Sequence, residues 1–132
     1  MTSELSPLPP VGDLKDLVVW QVAMDFATQV YSVTRTYPDE EKFGLRLQLR
    51  RATVSIASNI AEGHGRQGTR EFLNFLSIGY GSLNEVQTQI MIAERLAFLT
   101  SDRSAQMLSL AAEVAKLTNG LCKSLNAKLT NP

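Results

Sequence analysis

The 132-residue sequence predicts an all-α fold, an antiparallel up-down-up-down four-helix bundle that assembles into oligomers. Apolar residues recur with a period of about 3.6 along four long stretches, and no stretch alternates with the period of a β-strand. Short connections join the stretches, which is typical of bundles in which consecutive helices are neighbours. We expect the bundle to span residues 16–128, after a flexible, proline-rich N-terminal segment at residues 1–15.

The first two predicted helices are separated by a proline. The first is expected over about residues 16–36, because its polar residues occupy a single arc of the helix. Tyr37 then precedes Pro38, and a residue before proline disfavours the helical conformation. Pro38 and the three carboxylates at residues 39–41 favour the first turn of a second helix. This helix is expected to end at the glycines of residues 63–65.

The third and fourth helices follow the same period. Thr69 can cap a third helix that runs to about Phe98. Thr100 or Ser101 can cap a fourth helix that runs to about Asn126. Together the four helices account for the whole predicted bundle.

The second helix carries two separate apolar stripes, although one stripe is enough for a helix on the surface of a monomer. One stripe contains Phe43, Leu47, Val54 and Ala61. The other, on roughly the opposite side, contains Leu45, Leu49, Ala52, Ile56 and Ile60. Two stripes require two burial partners, and the pattern leaves open which stripe faces the core. We assign to a subunit interface the residues Leu45, Leu49, Ile56 and Ile60.

The composition is that of an ordinary folded domain, with 44% apolar and 20% charged residues and a formal net charge of zero. Zero net charge disfavours strong nonspecific attraction of the whole chain to nucleic acid or to a membrane. The single cysteine, Cys122, excludes an internal disulfide and fits a reducing cytosol. We find neither a signal peptide nor an apolar stretch of the ~20 residues needed to span a membrane, so we expect a cytoplasmic protein.

The sequence offers little for catalysis or for a cofactor. His64 is the only histidine, which rules out a multi-histidine metal site, and no cysteine cluster replaces it. Residues 63–68 match the pattern GxGxxG. The dinucleotide-binding fingerprint, however, requires a preceding strand and a βαβ unit, and a long helix precedes the pattern here. We therefore predict no catalytic residue, no metal and no cofactor.

Basic residues concentrate between Lys42 and Arg70, where six basic residues and one acidic residue give a net charge of +5. Clustered arginines can neutralise nucleic-acid phosphates, and the amides that begin the third helix could hold a phosphate. The predicted nucleic-acid or phosphate site comprises Arg46, Arg50, Arg51, Arg66, Thr69 and Arg70. The alternative is that Arg50 and Arg51 pair with acidic residues inside the bundle or across an interface. Most aromatic residues lie on apolar stripes, where core burial is expected.

One run of the sequence, residues 48–63, reads QLRRATVSIASNIAEG, and shorter runs accompany it at residues 19–21, 43–45, 65–66 and 81–85. These runs resemble the four-helix-bundle proteins named after ribosomal intervening sequences. The resemblance covers about residues 17–99, and the fourth helix matches only in pattern. Ala57 departs from the family, which often has proline at this position.

The resemblance implies a cytosolic bundle that assembles into a ring-shaped homopentamer. It also implies a similarity to the accessory subunit of diversity-generating retroelements, which binds nucleic acid and a reverse transcriptase. The first functional hypothesis is therefore a noncatalytic homo-oligomer that binds RNA, DNA or a nucleic-acid-processing protein through its arginines. The alternative is a structural or protein-interaction module without nucleic-acid contact, which burial of the arginine head groups would favour.

Overall fold

A computed structural model describes residues 12–130 and contains, within that range, four α-helices and no β-strand. The helices are α1 (Val18–Thr34), α2 (Leu45–His64), α3 (Thr69–Arg95) and α4 (Ser101–Thr130), and 3-10 turns lie at Leu14–Asp16 and Asp39–Glu41. Each helix packs against the next along the chain, and α4 also packs against α1. The prediction of an all-α fold with four helices is confirmed.

The core lies between the four helices and receives one apolar face from each. Its fully buried side chains include Phe26 of α1, Ile56 of α2, Leu83 of α3 and Met107 of α4. Removal of this apolar surface from water is the main source of stability of such a bundle. Each helix therefore uses one face inside a single chain.

The structure corrects the prediction for the stripe of α2 that contains Leu49. Leu49, Ile56 and Ile60 are 1%, 2% and 1% exposed, and Leu45 packs partly buried against the same core. Leu49, Ile56 and Ile60 are therefore core residues of one chain and not surface residues, whereas the assignment of Leu45 to a subunit interface stays a prediction. This stripe is the core stripe of α2.

The opposite stripe of α2 lies on the outside of the bundle, close to exposed apolar residues of α1. Phe43 is 81% exposed and Val54 is 44% exposed, while Met24 and Tyr31 of α1 are 40% and 42% exposed. Arg50 lies one turn before Val54, and its guanidinium carbon is 4.5 Å from the centroid of the Tyr31 ring. Val54 of α2 therefore lies on the same side of the molecule as Met24 and Tyr31 of α1.

The second helix begins later than predicted. The residues after Pro38 form a separate 3-10 turn, and α2 starts only at Leu45. Gly44 interrupts the helical path, with φ −103° and ψ −119°. The backbone N–H of Leu45 donates a hydrogen bond of 2.8 Å to the carboxylate of Glu41. Glu41, which the sequence pattern places inside the helix, thus lies before α2 and accepts a hydrogen bond from one of the N–H groups that a helix start leaves free.

The third helix ends before the predicted Phe98. Ala97 adopts a left-handed conformation with φ +61°, and the N–H of Phe98 donates to the carbonyl of Ala93 at 2.9 Å. This hydrogen bond ends α3 next to a residue with a left-handed backbone conformation, a position that glycine usually occupies. Without a glycine at this position, the sequence carries no strong signal for the end of α3.

The two ends of the described chain also differ from the prediction. Residues 1–11 of the predicted flexible segment lie outside the described residues, whereas Leu14–Asp16 form a turn that packs against α1. At the other end, α4 continues past the predicted Asn126 to Thr130.

Close packing of α2 against α3 positions the candidate site. The hydroxyls of Ser55 and Ser82 are 2.9 Å apart near the middle of the two helices. At the end of α2, a β-carbon added to Gly63 would lie only 2.9 Å from the β-carbon of Phe75. The absence of a side chain at Gly63 therefore brings the end of α2 against the first turns of α3.

Candidate nucleic-acid interface

The structure distributes the predicted site residues over three places. Arg46 and Arg50 lie on the first turns of α2, near the end of α1. Arg51 lies on the outer side of α2, next to α3. Arg66 lies in the turn between α2 and α3, and Thr69 and Arg70 begin α3. The six residues therefore do not form one continuous basic surface.

Arg46 and Arg50 are held by groups of the same chain. Arg50 donates from Nε to the hydroxyl of Thr34 at 2.9 Å and from Nη2 to the carbonyl of Tyr31 at 3.2 Å. Arg46 donates from Nη2 to the carbonyl of Tyr37 at 2.7 Å. A cation is stabilising near the negative C-terminal end of a helix, here α1. These two arginines therefore fasten α2 to the end of α1.

Arg50 and Arg51, which the alternative hypothesis places in ion pairs, form no ion pair with an acidic residue among residues 12–130. Arg50 binds a hydroxyl and a carbonyl, as described above, and Arg51 is exposed in a shallow groove that it shares with Ser55, Ser82 and Glu85. Among residues 12–130 the single ion pair joins Arg66 to Glu62. Within one chain Arg50 therefore forms hydrogen bonds and not the expected ion pair, and pairing across a subunit interface stays a prediction.

The turn between α2 and α3 carries two exposed arginines. One open depression, which we call the turn surface, is lined by Arg66, Arg70, Glu71, Asn74 and Phe75. Arg66 pairs with Glu62 through an Nη2–Oε2 distance of 2.8 Å, yet its side chain is 43% exposed. Its guanidinium carbon lies 4.9 Å from the centroid of the Phe75 ring, within the range of a cation–π interaction. The structure thus brings Arg66 and Arg70 together at the surface.

Thr69 borders a second depression on the other side of the same turn. His64, Phe72 and Lys128 also line it, and the His64 and Phe72 rings meet edge to face with centroids 6.2 Å apart. Gly68 occupies the cap position of α3, so Thr69 is the first helical residue and does not cap the helix as predicted. Lys128 adds a positive charge from α4 that the sequence pattern does not connect to this turn.

Two residues of the turn surface are missed by the sequence analysis. The apolar pattern places Phe75 in the core, but this residue is only half-buried. Helical spacing gives Phe75 the same angular position as Ala93, which is fully buried five turns later in α3. Asn74 is one turn after Arg70 and shares its face. Helical periodicity therefore gives no signal that separates Phe75 from the core stripe.

The groups with shifted pKa values lie outside the turn surface. Burial raises the pKa of Tyr37, which is 3% exposed, to about 12, so its hydroxyl stays neutral at physiological pH. Burial also raises the pKa of the Cys122 thiol, which disfavours a reactive thiolate. No group of three or more His, Cys, Asp or Glu side chains between residues 12 and 130 could hold a metal ion. None of the described helices is long and apolar enough to cross a membrane.

Comparisons with known proteins identify the family of this chain. No curated protein matches it. Among solved structures, a protein with unknown function from the S23 ribosomal protein family of Bacteroides thetaiotaomicron is similar, with a TM-score of 0.76 and 26% sequence identity. The match covers 83% of this chain and 98% of that one. A family model described as 23S rRNA-intervening sequence protein matches residues 15–120, which confirms the resemblance. The chain therefore belongs to the 23S rRNA-intervening sequence protein family.

Proposed function

We propose that this protein is a noncatalytic homo-oligomer that binds RNA or DNA through the turn surface. The observation that carries the proposal is the exposure of Arg66 and Arg70 around one depression at the α2–α3 turn. Exposed guanidinium groups bind phosphate oxygens and supply the sequence-independent part of nucleic-acid affinity. Arg51 is a further exposed cation on α2. In this proposal Arg46 and Arg50 hold α2 in place and do not contact the nucleic acid.

The proposal includes a cytoplasmic up-down-up-down bundle that assembles as a homopentamer. Contacts between the end of α2 and the start of α3 support antiparallel neighbours. The exposed apolar residues on the shared side of α1 and α2 support self-association, because large exposed apolar patches often mark interaction sites. The number five comes from the family resemblance alone. Light scattering at micromolar concentration is expected to give five times the 14.5 kDa chain mass, and a monomer mass would contradict assembly.

The alternative function is a structural or protein-interaction module without nucleic-acid contact. It is favoured by the internal hydrogen bonds of Arg46 and Arg50, since two of the five arginines of the predicted site are already hydrogen-bonded within the chain. The carboxylate of Glu62 also offsets part of the charge of Arg66. A partner that processes nucleic acid could then dock on the bundle without the chain touching the polymer.

A charge-matched pair of double variants separates these functions. We expect Arg66→Ala with Arg70→Ala to weaken binding of a labelled single-stranded RNA by at least about tenfold at low ionic strength, because two charge-assisted contacts are lost. Arg95→Ala with Arg103→Ala removes the same charge from exposed positions where α3 ends and α4 begins. This control is expected to change the dissociation constant by about twofold at most. Fluorescence anisotropy measures both.

Two outcomes would count against nucleic-acid binding at the turn surface. Equal losses in the two double variants would show that net charge, rather than Arg66 and Arg70, determines affinity. Absence of RNA and DNA binding by the unmodified protein at low ionic strength would favour the protein-interaction alternative.

A further inference from the structure

We infer that the turn surface accepts an unpaired nucleotide, whose base stacks on the guanidinium group of Arg66 and whose phosphate contacts Arg70. The inference rests on the proposed function, because it specifies the form of nucleic acid that the turn surface takes. Its starting point is that Arg66 is both held in place and open to solvent.

Two contacts hold the guanidinium group of Arg66. One is the ion pair with Glu62, at 2.8 Å, and the other is the Phe75 ring, whose centroid is 4.9 Å from the guanidinium carbon. The side chain nevertheless remains 43% exposed. A base can stack on an arginine plane as it does on an aromatic ring, and a plane already held by neighbours loses little entropy when it binds. Arg66 and Phe75 together form what we call the stacking platform.

The surroundings of the stacking platform suit the remainder of a nucleotide. Arg70 is exposed in the same depression and forms no ion pair within residues 12–130. A phosphate on the base that stacks on Arg66 would therefore meet a free guanidinium group. The amide of Asn74 also lines the depression, and it offers both a donor and an acceptor to the edge of a base.

The charges around the stacking platform favour a single strand over a duplex. Glu62 pairs with Arg66, and Glu71 lines the same depression, so two carboxylates lie next to the two arginines. The formal charges of these four side chains cancel, so the surface is poorly suited to hold the dense phosphates of a duplex by charge alone. Stacking requires a base with an open face, and bases inside a duplex have both faces covered. An unpaired base therefore gains the contact that a duplex cannot make.

The structure contains a second arginine–aromatic contact, between Arg50 and Tyr31, that can be compared with the contact between Arg66 and Phe75. Its guanidinium carbon also lies over an aromatic ring, at 4.5 Å, but its Nε and Nη2 atoms donate to Thr34 and Tyr31. Arg50 is half-buried by these contacts. An arginine over an aromatic ring therefore serves packing near the start of α2, whereas Arg66, just after the end of α2, keeps a side chain that is 43% exposed.

Substitution of Arg66 by lysine tests stacking separately from charge. Lysine keeps the positive charge but has no planar face to carry a base. We expect Arg66→Lys to weaken binding of single strands of RNA or DNA of about 12 nucleotides by five- to tenfold. We expect it to leave the weaker binding of the matched RNA duplex within about twofold. Phe75→Leu, which keeps apolar volume beside α2, is expected to act in the same direction.

Arg103→Lys is the matched control, because it makes the same exchange at an exposed position of α4 outside the turn surface. It is expected to keep single-strand affinity within about twofold of the unmodified protein. A 2-aminopurine base in the single strand gives a second readout, since stacking quenches its fluorescence. The quenching is expected with the unmodified protein and with Arg103→Lys, and not with Arg66→Lys.

The outcomes separate this inference from the proposed function. Equal affinity for the single strand and the duplex, or an Arg66→Lys variant that binds and quenches like the unmodified protein, would overturn stacking while nucleic-acid binding stands. Failure of the unmodified protein to bind any of the three polymers would overturn both. Preference for single strands together with loss on Arg66→Lys and retention on Arg103→Lys supports the inference.

Discussion

Substitution of Ile56 by alanine is expected to lower the free energy of unfolding by about 2–5 kcal/mol. Ile56 is 2% exposed and belongs to the core stripe of α2, so the variant loses apolar burial and leaves a cavity among the helices. Val54, two residues earlier, is 44% exposed on the opposite stripe. Val54→Ala is expected to change the free energy of unfolding by about 0.5 kcal/mol at most. Chemical denaturation monitored by circular dichroism measures both.

The comparison between these variants must be made at one state of assembly, because association adds to apparent stability. Light scattering of each variant before denaturation provides that control. If Val54→Ala costs as much stability as Ile56→Ala in a dissociated sample, our assignment of the core stripe is wrong. Such a result would mean that the outer stripe is also buried within one chain.

The second large effect is expected at the contact between α2 and α3. A β-carbon added to Gly63 would lie 2.8 Å from Cδ1 of Phe72, 2.9 Å from Cβ of Phe75 and 3.2 Å from the Phe72 carbonyl oxygen. The Phe72 ring can rotate, but the β-carbon of Phe75 cannot move without the backbone of α3. We expect Gly63→Ala to destabilise the protein by about 1–3 kcal/mol, despite the better helix propensity of alanine.

Gly81→Ala is the matched control for this substitution. Gly81 lies within α3, and nothing comes within 4 Å of a β-carbon built on it. Alanine there is expected to stabilise the protein by up to about 1 kcal/mol, because the helix gains propensity without a clash. Thermal unfolding should therefore shift in opposite directions for the two glycine variants. A shift in the same direction would contradict the close approach at Gly63.

Helix number and the buried faces follow from the sequence because they depend on local periodicity. The 3.6-residue period identifies all four helices, and the main stripe of α3 is buried as the spacing predicts, from Leu76 to Ala93. The helix ends depend on single residues instead. Glu41 caps α2 from the turn that precedes it, and Ala97 adopts a positive φ, which is uncommon for alanine. The start of α2 and the end of α3 therefore differ from the predicted positions by several residues.

The stripes of α2 show what periodicity leaves undecided. The pattern identifies two apolar faces, but the choice of the face that meets the core depends on how α2 is rotated against α1, α3 and α4. Leu49 and Ile60 face the core, and Val54 does not. Sequence spacing alone cannot fix that rotation, so the predicted subunit interface was placed on the wrong face.

The candidate site was predictable only as a group of basic residues. Spacing puts Arg46 and Arg50 on one face, yet their partners Thr34, Tyr31 and Tyr37 come from the end of α1 and its following turn. Which arginines form hydrogen bonds within the chain therefore depends on how α2 packs against α1, and the sequence pattern does not give that packing. The contact of Arg66 with Phe75 likewise joins the turn to α3, where α2 and α3 approach closely at Gly63.

The central claim, binding of nucleic-acid phosphates by Arg66 and Arg70, is tested most directly by the salt dependence of single-strand affinity. A slope of about −0.7 in log affinity against log salt is expected for each phosphate contact to a single strand. We predict that Arg66→Ala with Arg70→Ala makes the slope shallower by about 0.7–1.4, while Arg95→Ala with Arg103→Ala leaves it unchanged. Coincident slopes for the unmodified protein and the Arg66/Arg70 double variant would contradict the claim.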